Sequence, residues 1–275
     1  MSDYFSPALD MMLPLLGRLV LLGALTGLAP AQAADTLADA YAIIASKKMV
    51  DLTHAFSPST PVWQGFGQAA MVAAADPDTQ RPYTIEHDHF RTTFYAMVGQ
   101  YGTHIDPPAH FDAAGLTQDK IPLREMILPL VVFDLTPLLV RDPSHALTVA
   151  DISAWEQKHG RVPVGAFAAL RTDMSKDFDN NPERFKRSPF PAWSLEAIKF
   201  LFEQRAITAI GHESLDTDIT ETMDAESWVL HHGHWQIEVL TNLDQVPAQG
   251  AVLVVSWAKV KNGFGFPARA YAILP

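Results

Sequence analysis

Two histidines and an aspartate fall between His104 and His110, in the stretch Gln100-Tyr101-Gly102-Thr103-His104-Ile105-Asp106-Pro107-Pro108-Ala109-His110-Phe111. Imidazole nitrogen and carboxylate oxygen together suit a borderline divalent metal such as Zn²⁺, Mn²⁺ or Fe²⁺. His104 and Asp106 stand two apart, so in an extended segment their side chains share a face, which Gln100 joins if that geometry continues. Gly102 permits a close approach of the backbone, and Pro107 and Pro108 stiffen the loop that carries His110. The competing reading is a polar turn between two strands with its histidines satisfied in a core. Ligand types combined with fixed backbone geometry favour a site.

The string resembles the signature His-x-Gly-Thr-His-x-Asp-x-Pro-x-His of the cyclase-like metal-dependent hydrolases, a family that includes bacterial kynurenine formamidase and isatin hydrolase. Gly102, Thr103, His104, Asp106, Pro108 and His110 match it, whereas Gln100 stands where the signature has histidine. The resemblance runs from about Val50 to Pro275. It implies that His104, Asp106 and Gln100 bind a divalent metal, Mn or Zn, with the amide of Gln100 tilting the preference towards Mn²⁺. His110, the last histidine of the motif and beyond two prolines, is expected to be the general acid/base. Glu238, just before Leu240-Thr241-Asn242-Leu243, takes the family's carboxylate role of orienting water or completing a second metal position. Two-metal relatives have a histidine twelve residues earlier, where this chain has Glu226, so a single metal is expected.

The elements that must position these groups lie within 275 residues that are 48% hydrophobic, enough for one substantial core. The net charge of -11, with no basic run, argues against nucleic-acid binding. The absence of cysteine excludes disulfides and thiolate metal sites. Near the N-terminus, Arg18 precedes the apolar run Leu19–Leu28, and Ala31-Gln32-Ala33 follows as a cleavage signal. The run is shorter than the roughly 20 apolar residues of a spanning helix. Residues 1–33 therefore read as a secretory signal peptide and 34–275 as the hydrolase domain, periplasmic or secreted and without stable membrane association after cleavage.

Along the mature chain, Thr36 caps a helix to about Lys48, and Met49–His54 is a strand; His54 is a weaker ligand candidate. Trp63 and Phe66, in the Pro/Gly/Ser-rich loop 57–67, are expected to wall a substrate pocket, with Phe264 and Phe266 as further candidates. Phe90–Met97 is expected as the strand leading into the motif. A buried strand follows at 130–135, a helix at 148–158 ended by Gly160, and a strand at 165–173 with Arg171 and Asp173 at its polar end. Ser194 caps a helix to Arg205 that feeds the strand 207–210. His212 and Asp216 then fall after a strand and a glycine, where α/β proteins often place functional groups. His234 stands at even strand spacing from Glu238, and two closing strands lie at 251–257 and 268–273.

The fold expected is α/β: a single domain with a mixed central β-sheet flanked by helices, of the family's β/β/α type. The expected function is hydrolysis of an amide or lactam in a small aromatic or cyclic substrate through a metal-activated water. His212 and His234 join Trp63 and Phe66 as substrate-binding candidates, and a homo-oligomer, dimer or tetramer, is expected. The departures at Gln100 and Glu226 and the export signal make kynurenine formamidase itself the less favoured member. The rival readings are a periplasmic small-molecule-binding protein that kept the fold without the chemistry, and a lactone or ester hydrolase.

Overall fold

The computed structural model describes residues 36–219 and 222–275. The expected signal peptide, 1–33, lies outside them. Contacts divide the chain after Tyr41 into two units. The helix that spans this division, α1 (Leu37–Ser46), opens with Thr36, whose backbone and side chain both bond Asp39 Oδ2 while Asp39 donates its N–H back to Thr36 Oγ1. Among the described residues, no helix is long and apolar enough to cross a membrane.

The unit from Ala42 onward is built on eight strands: β1 (Met49–Asp51), β2 (His104–Asp106), β3 (Ile127–Asp134), β4 (Phe167–Arg171), β5 (Ala209–His212), β6 (Trp235–Glu238), β7 (Ala251–Trp257) and β8 (Phe266–Ile273). Their order is β1-β8-β7-β3-β4-β5-β6-β2, and β8 also pairs with β2, so seven of them close into a ring with β1 attached outside it. β3 to β6 run parallel, and the remaining pairings are antiparallel. The expected mixed sheet is present, closed on itself.

The period of two along each strand separates two cores. Leu130, Val132, Phe167, Ala169, Ala209, Trp235, Ile237 and Ile105 face inward with Leu253, Val255 and Ala270. Val131, Phe133, Ala168, Leu170 and Ile210 face outward beneath three helices: α2 (Val149–His159), α3 (Leu195–Lys199) and α4 (Asp224–His231). The parallel strands are covered on both sides, which explains their nearly unbroken apolar sequence. α2 carries a full capping box, Thr148 with Asp151, worth about 1 kcal/mol, and ends at Gly160 as expected. α3 is capped by Ser194 and passes into a π-helical turn, Phe200–Gln204.

The elements differ from expectation in two places. Phe90–Met97 supplies only the strand Thr93–Ala96, which pairs with Ala70–Ala73 in an exposed two-stranded hairpin outside the main sheet. Its apolar residues Phe94 and Tyr95 are more than half exposed, so hydrophobicity alone misplaced it. Helix α4 falls on residues for which no element was expected. At the polar end of β4, Arg171 and Asp173 are salt-bridged to each other at 2.8 Å, and Arg171 is also bonded to Asp134.

His54 is structural. Its ring stacks on Phe178 at 3.9 Å, and its buried Nε2 has no partner among the described residues. Burial pushes its pKa down to about 4, against a smaller opposing pull from Asp179. The unfolded chain therefore takes up its proton as pH falls through about 6.5, and the folded protein only near 4. Stability from this group is full above pH 6.5 and is lost towards 4, by roughly 3 kcal/mol. Denaturant titrations across that window check this, and His54→Phe should flatten the slope. An unchanged slope in the variant would exclude His54 as its source.

Candidate metal centre

The centre forms where β2 and β6 run antiparallel, with Glu238 opposite His104 and Gln236 opposite Asp106. Ile105 and Ile237 of the same strands enter the inner core, so the four polar side chains emerge on the outer face. Elsewhere that face is covered by apolar helix packing. Here α4 brings Glu226 over it instead.

His104, Asp106 and Glu238 are all buried, and their ligand atoms lie within 4.8 Å of one another. His104 Nε2 is 3.5 Å from Asp106 Oδ2 and 3.5 Å from Glu238 Oε2. Its Nδ1–H donates to the Gly102 carbonyl at 2.8 Å, which turns the Nε2 lone pair towards the carboxylates. Gly102 makes this approach in the left-handed region, at φ 63°, where glycine is the least strained residue. Burial opposes a charge on His104, but the two carboxylates outweigh it and push the imidazole up to about 9. Burial likewise opposes ionisation of Asp106, yet His104, His110 and the Gln236 amide hold it down to about 2. The cluster thus stabilises positive charge where its three donors converge. An imidazole and two carboxylate oxygens form a set that fits a divalent cation, which would compete with the His104 proton.

Gln236 is the residue that sequence reasoning missed. Its amide nitrogen lies 3.2 Å from Asp106 Oδ2, 3.1 Å from Glu226 Oε1 and 3.1 Å from Glu238 Oε1. Thr217 Oγ1 donates to its Oε1 at 2.7 Å and so fixes the amide's orientation. The available signal was the even spacing from Glu238 that had been credited to His234. β6 begins at Trp235, so His234 falls outside the strand and stacks on Phe202 at 3.9 Å, not lining the cavity. Burial together with Glu238 and Asp106 pushes Glu226 well above the usual carboxylate range.

Glu238 is aimed by a strained turn. The next residue, Val239, sits at φ 58°, which costs a β-branched side chain roughly 1–2 kcal/mol. Thr103 Oγ1 holds the Val239 carbonyl at 2.6 Å, and Ser214 accepts its N–H at 3.3 Å. His212 is fully buried behind this turn and bonds Glu238 Oε1 at 3.2 Å, so it braces the carboxylate and does not line the cavity.

Gln100 directs its amide nitrogen to the Phe264 carbonyl at 2.8 Å and to Asp106 Oδ1 at 3.2 Å. A Cβ at residue 265 would lie 2.0 Å from that nitrogen, so Gly265 makes room for it. Gln100 is thus placed as a donor to Asp106, where its oxygen had been expected as a ligand. The same nitrogen is 3.4 Å from His110 Nδ1, and His110 Nε2 is 4.0 Å from Asp106 Oδ1. His110 is a quarter exposed and lines a cavity of about 220 Å³ with Trp63, Phe66, Phe111, Leu215 and Met223. The Trp63 and Phe66 rings lie 5.3 Å apart on its wall. Phe264 is exposed and contributes its carbonyl to Gln100 without lining the cavity.

A family model described as putative cyclase matches residues 50–219. The chain belongs to this cyclase family. It is 29% identical to an isatin hydrolase of Roseibium aggregatum over 248 residues, 83% of this chain and 92% of the relative. Among solved structures, isatin hydrolase A from Labrenzia aggregata bound to benzyl benzoate superposes with a TM-score of 0.77 at 29% identity, covering 87% of this chain and 99% of the other. An isatin hydrolase bound to the product analogue thioisatinate gives 0.76 at 25% identity, over 90% and 100%. This cyclase-family chain therefore shares its fold with the isatin hydrolases.

Proposed function

We propose that the chain hydrolyses the C–N bond of a cyclic amide, with an isatin-like fused lactam as the substrate class. The observation that carries this reading is a buried His/Asp/Glu cluster beneath a cavity of about 220 Å³ walled in part by Trp63, Phe66 and Phe111. The likeness to isatin hydrolases in sequence and structure supports it. His104, Asp106 and Glu238 would hold one divalent metal, Mn or Zn, which supplies Lewis acidity towards a carbonyl and lowers the pKa of water.

Around it, Gln236, Gln100 and His212 hold the carboxylates in place. The Gln100 amide nitrogen lies 3.4 Å from His110 Nδ1, and His110 Nε2 lies 4.0 Å from Asp106 Oδ1, which sets the ring at the edge of the cluster. His110 can deliver a proton to the leaving nitrogen and recover one from water. Trp63 and Phe66 exclude water and offer faces for a flat ring.

The reading retains an exported enzyme, supported by residues 19–34. It also retains an assembly of identical chains, supported by exposed Val72, Phe94 and Tyr95 on the hairpin. Purified protein reconstituted with Mn²⁺ or Zn²⁺ should open isatin to its ring-cleaved carboxylate, followed by absorbance. Failure of every metal form on isatin and on other lactams would overturn this reading.

A further inference from the structure

Beyond Trp63 and Phe66 lies a second cavity of about 520 Å³ that the chemistry above does not use. The two cavities share Trp63, Phe66, Leu215 and Asp216, so they adjoin along these side chains. The far wall of the outer part carries Glu183, Lys186 and Arg187. Lys186 Nζ bonds Glu183 Oε1 at 2.8 Å, so these two charges largely cancel. Arg187 is exposed, and among the described residues no carboxylate comes within ion-pair distance of it. The lining also includes the amides Gln64 and Gln68 beside Trp63 and Phe66, and the Asp216 carboxylate where the two cavities adjoin. On a chain of net charge -11, this leaves the Arg187 guanidinium as the charge without an ion-pair partner among the described residues of the outer cavity, which adjoins the cavity of the metal centre.

We propose that the outer cavity binds a carboxylate tail of the substrate, with Arg187 as its charge partner. This rests on the metal centre being a lactam hydrolase site. A guanidinium presents paired N–H donors in a plane that matches a carboxylate, and at this exposed position it loses little hydration. The junction is unsuited to an anion, because the buried Asp216 carboxylate lies there, accepting the Asp218 N–H at 2.9 Å. The negative group must therefore be separated from the reacting ring by a spacer. The ring would lie against Trp63 and Phe66, and the spacer would cross Leu215. The substrate class is a fused lactam bearing an ω-carboxyalkyl chain, which the relatives' smaller substrate does not fill.

Three substrates test this: isatin, isatin bearing a short ω-carboxyalkyl chain, and the same chain ended by a primary amide. The wild type should prefer the carboxylate over the amide in kcat/KM, and the preference should weaken as salt is raised. Arg187→Ala should lower kcat/KM for the carboxylate by about three- to fivefold and Arg187→Glu by about tenfold, with isatin unchanged. Calorimetric binding of an aryl ω-carboxylate and its amide to wild type and Arg187→Glu gives a readout that needs no turnover. Arginine-dependent binding of the carboxylate without lactam hydrolysis would support the subsite and overturn the reaction assigned above. Equal binding of carboxylate and amide, or equal losses on all three substrates, would overturn the subsite whether or not isatin is cleaved.

Discussion

Asp106→Ala should yield protein without stoichiometric metal and with turnover at background, a loss exceeding roughly 10³-fold. Asp106 is the centre of the cluster: it faces His104 at 3.5 Å, His110 at 4.0 Å and the amides of Gln100 and Gln236 at 3.2 Å each. Its removal takes away a ligand and leaves two amide donors facing a gap, at about 1–3 kcal/mol for each one left unsatisfied. Asp106→Asn keeps the volume and separates lost packing from lost charge. Elemental analysis after dialysis against Mn²⁺ or Zn²⁺, with thermal melts to establish folding, measures both effects. His104→Ala should behave the same way. Full metal content and full activity in either variant would remove β2 from the site.

The second large effect separates the proton from the metal. His110→Ala should retain metal near the wild-type amount and lose about 10²–10⁴-fold in kcat, the scale of a general acid/base. The geometry distinguishes the two histidines: His104 is almost fully buried with its Nε2 between two carboxylates, whereas His110 is a quarter exposed on the cavity wall. Metal stoichiometry and steady-state rates on one preparation decide it. Loss of metal would make His110 a ligand, and undiminished kcat would remove it from the chemistry.

His104 and Asp106 were legible as candidate ligands because they follow one strand's period of two. Glu238 was reached through resemblance, since no local pattern singles it out. Gln236 was not reached, because its importance comes from its position opposite Asp106 across two strands and under α4. Helix α4 was missed for a related reason. Its N-cap, Met223, makes no side-chain cap, and the first free N–H groups are taken by Asp218, with Ala225 at 2.8 Å and Glu226 at 3.0 Å. A cap supplied from that far upstream lacks the usual three-residue spacing. His212, Trp63 and Phe66 were each assigned to the site's surroundings from local sequence, but whether such a side chain faces a cavity or braces a ligand depends on long-range packing.

The pairing of β2 with β6 also bears on how the protein folds. Asp106 and Gln236 are 130 residues apart in sequence, and they meet only when the seam between β2 and β6 is in place. A partly folded chain lacking that seam holds the aspartate and the glutamate on separate segments. Metal affinity is therefore a property of the completed ring, and saturating metal stabilises the native state alone, by about 2.7 kcal/mol at a hundredfold excess over its dissociation constant. With so much of the site dependent on distant contacts, folding should be slow, and acquisition of metal should report its final step.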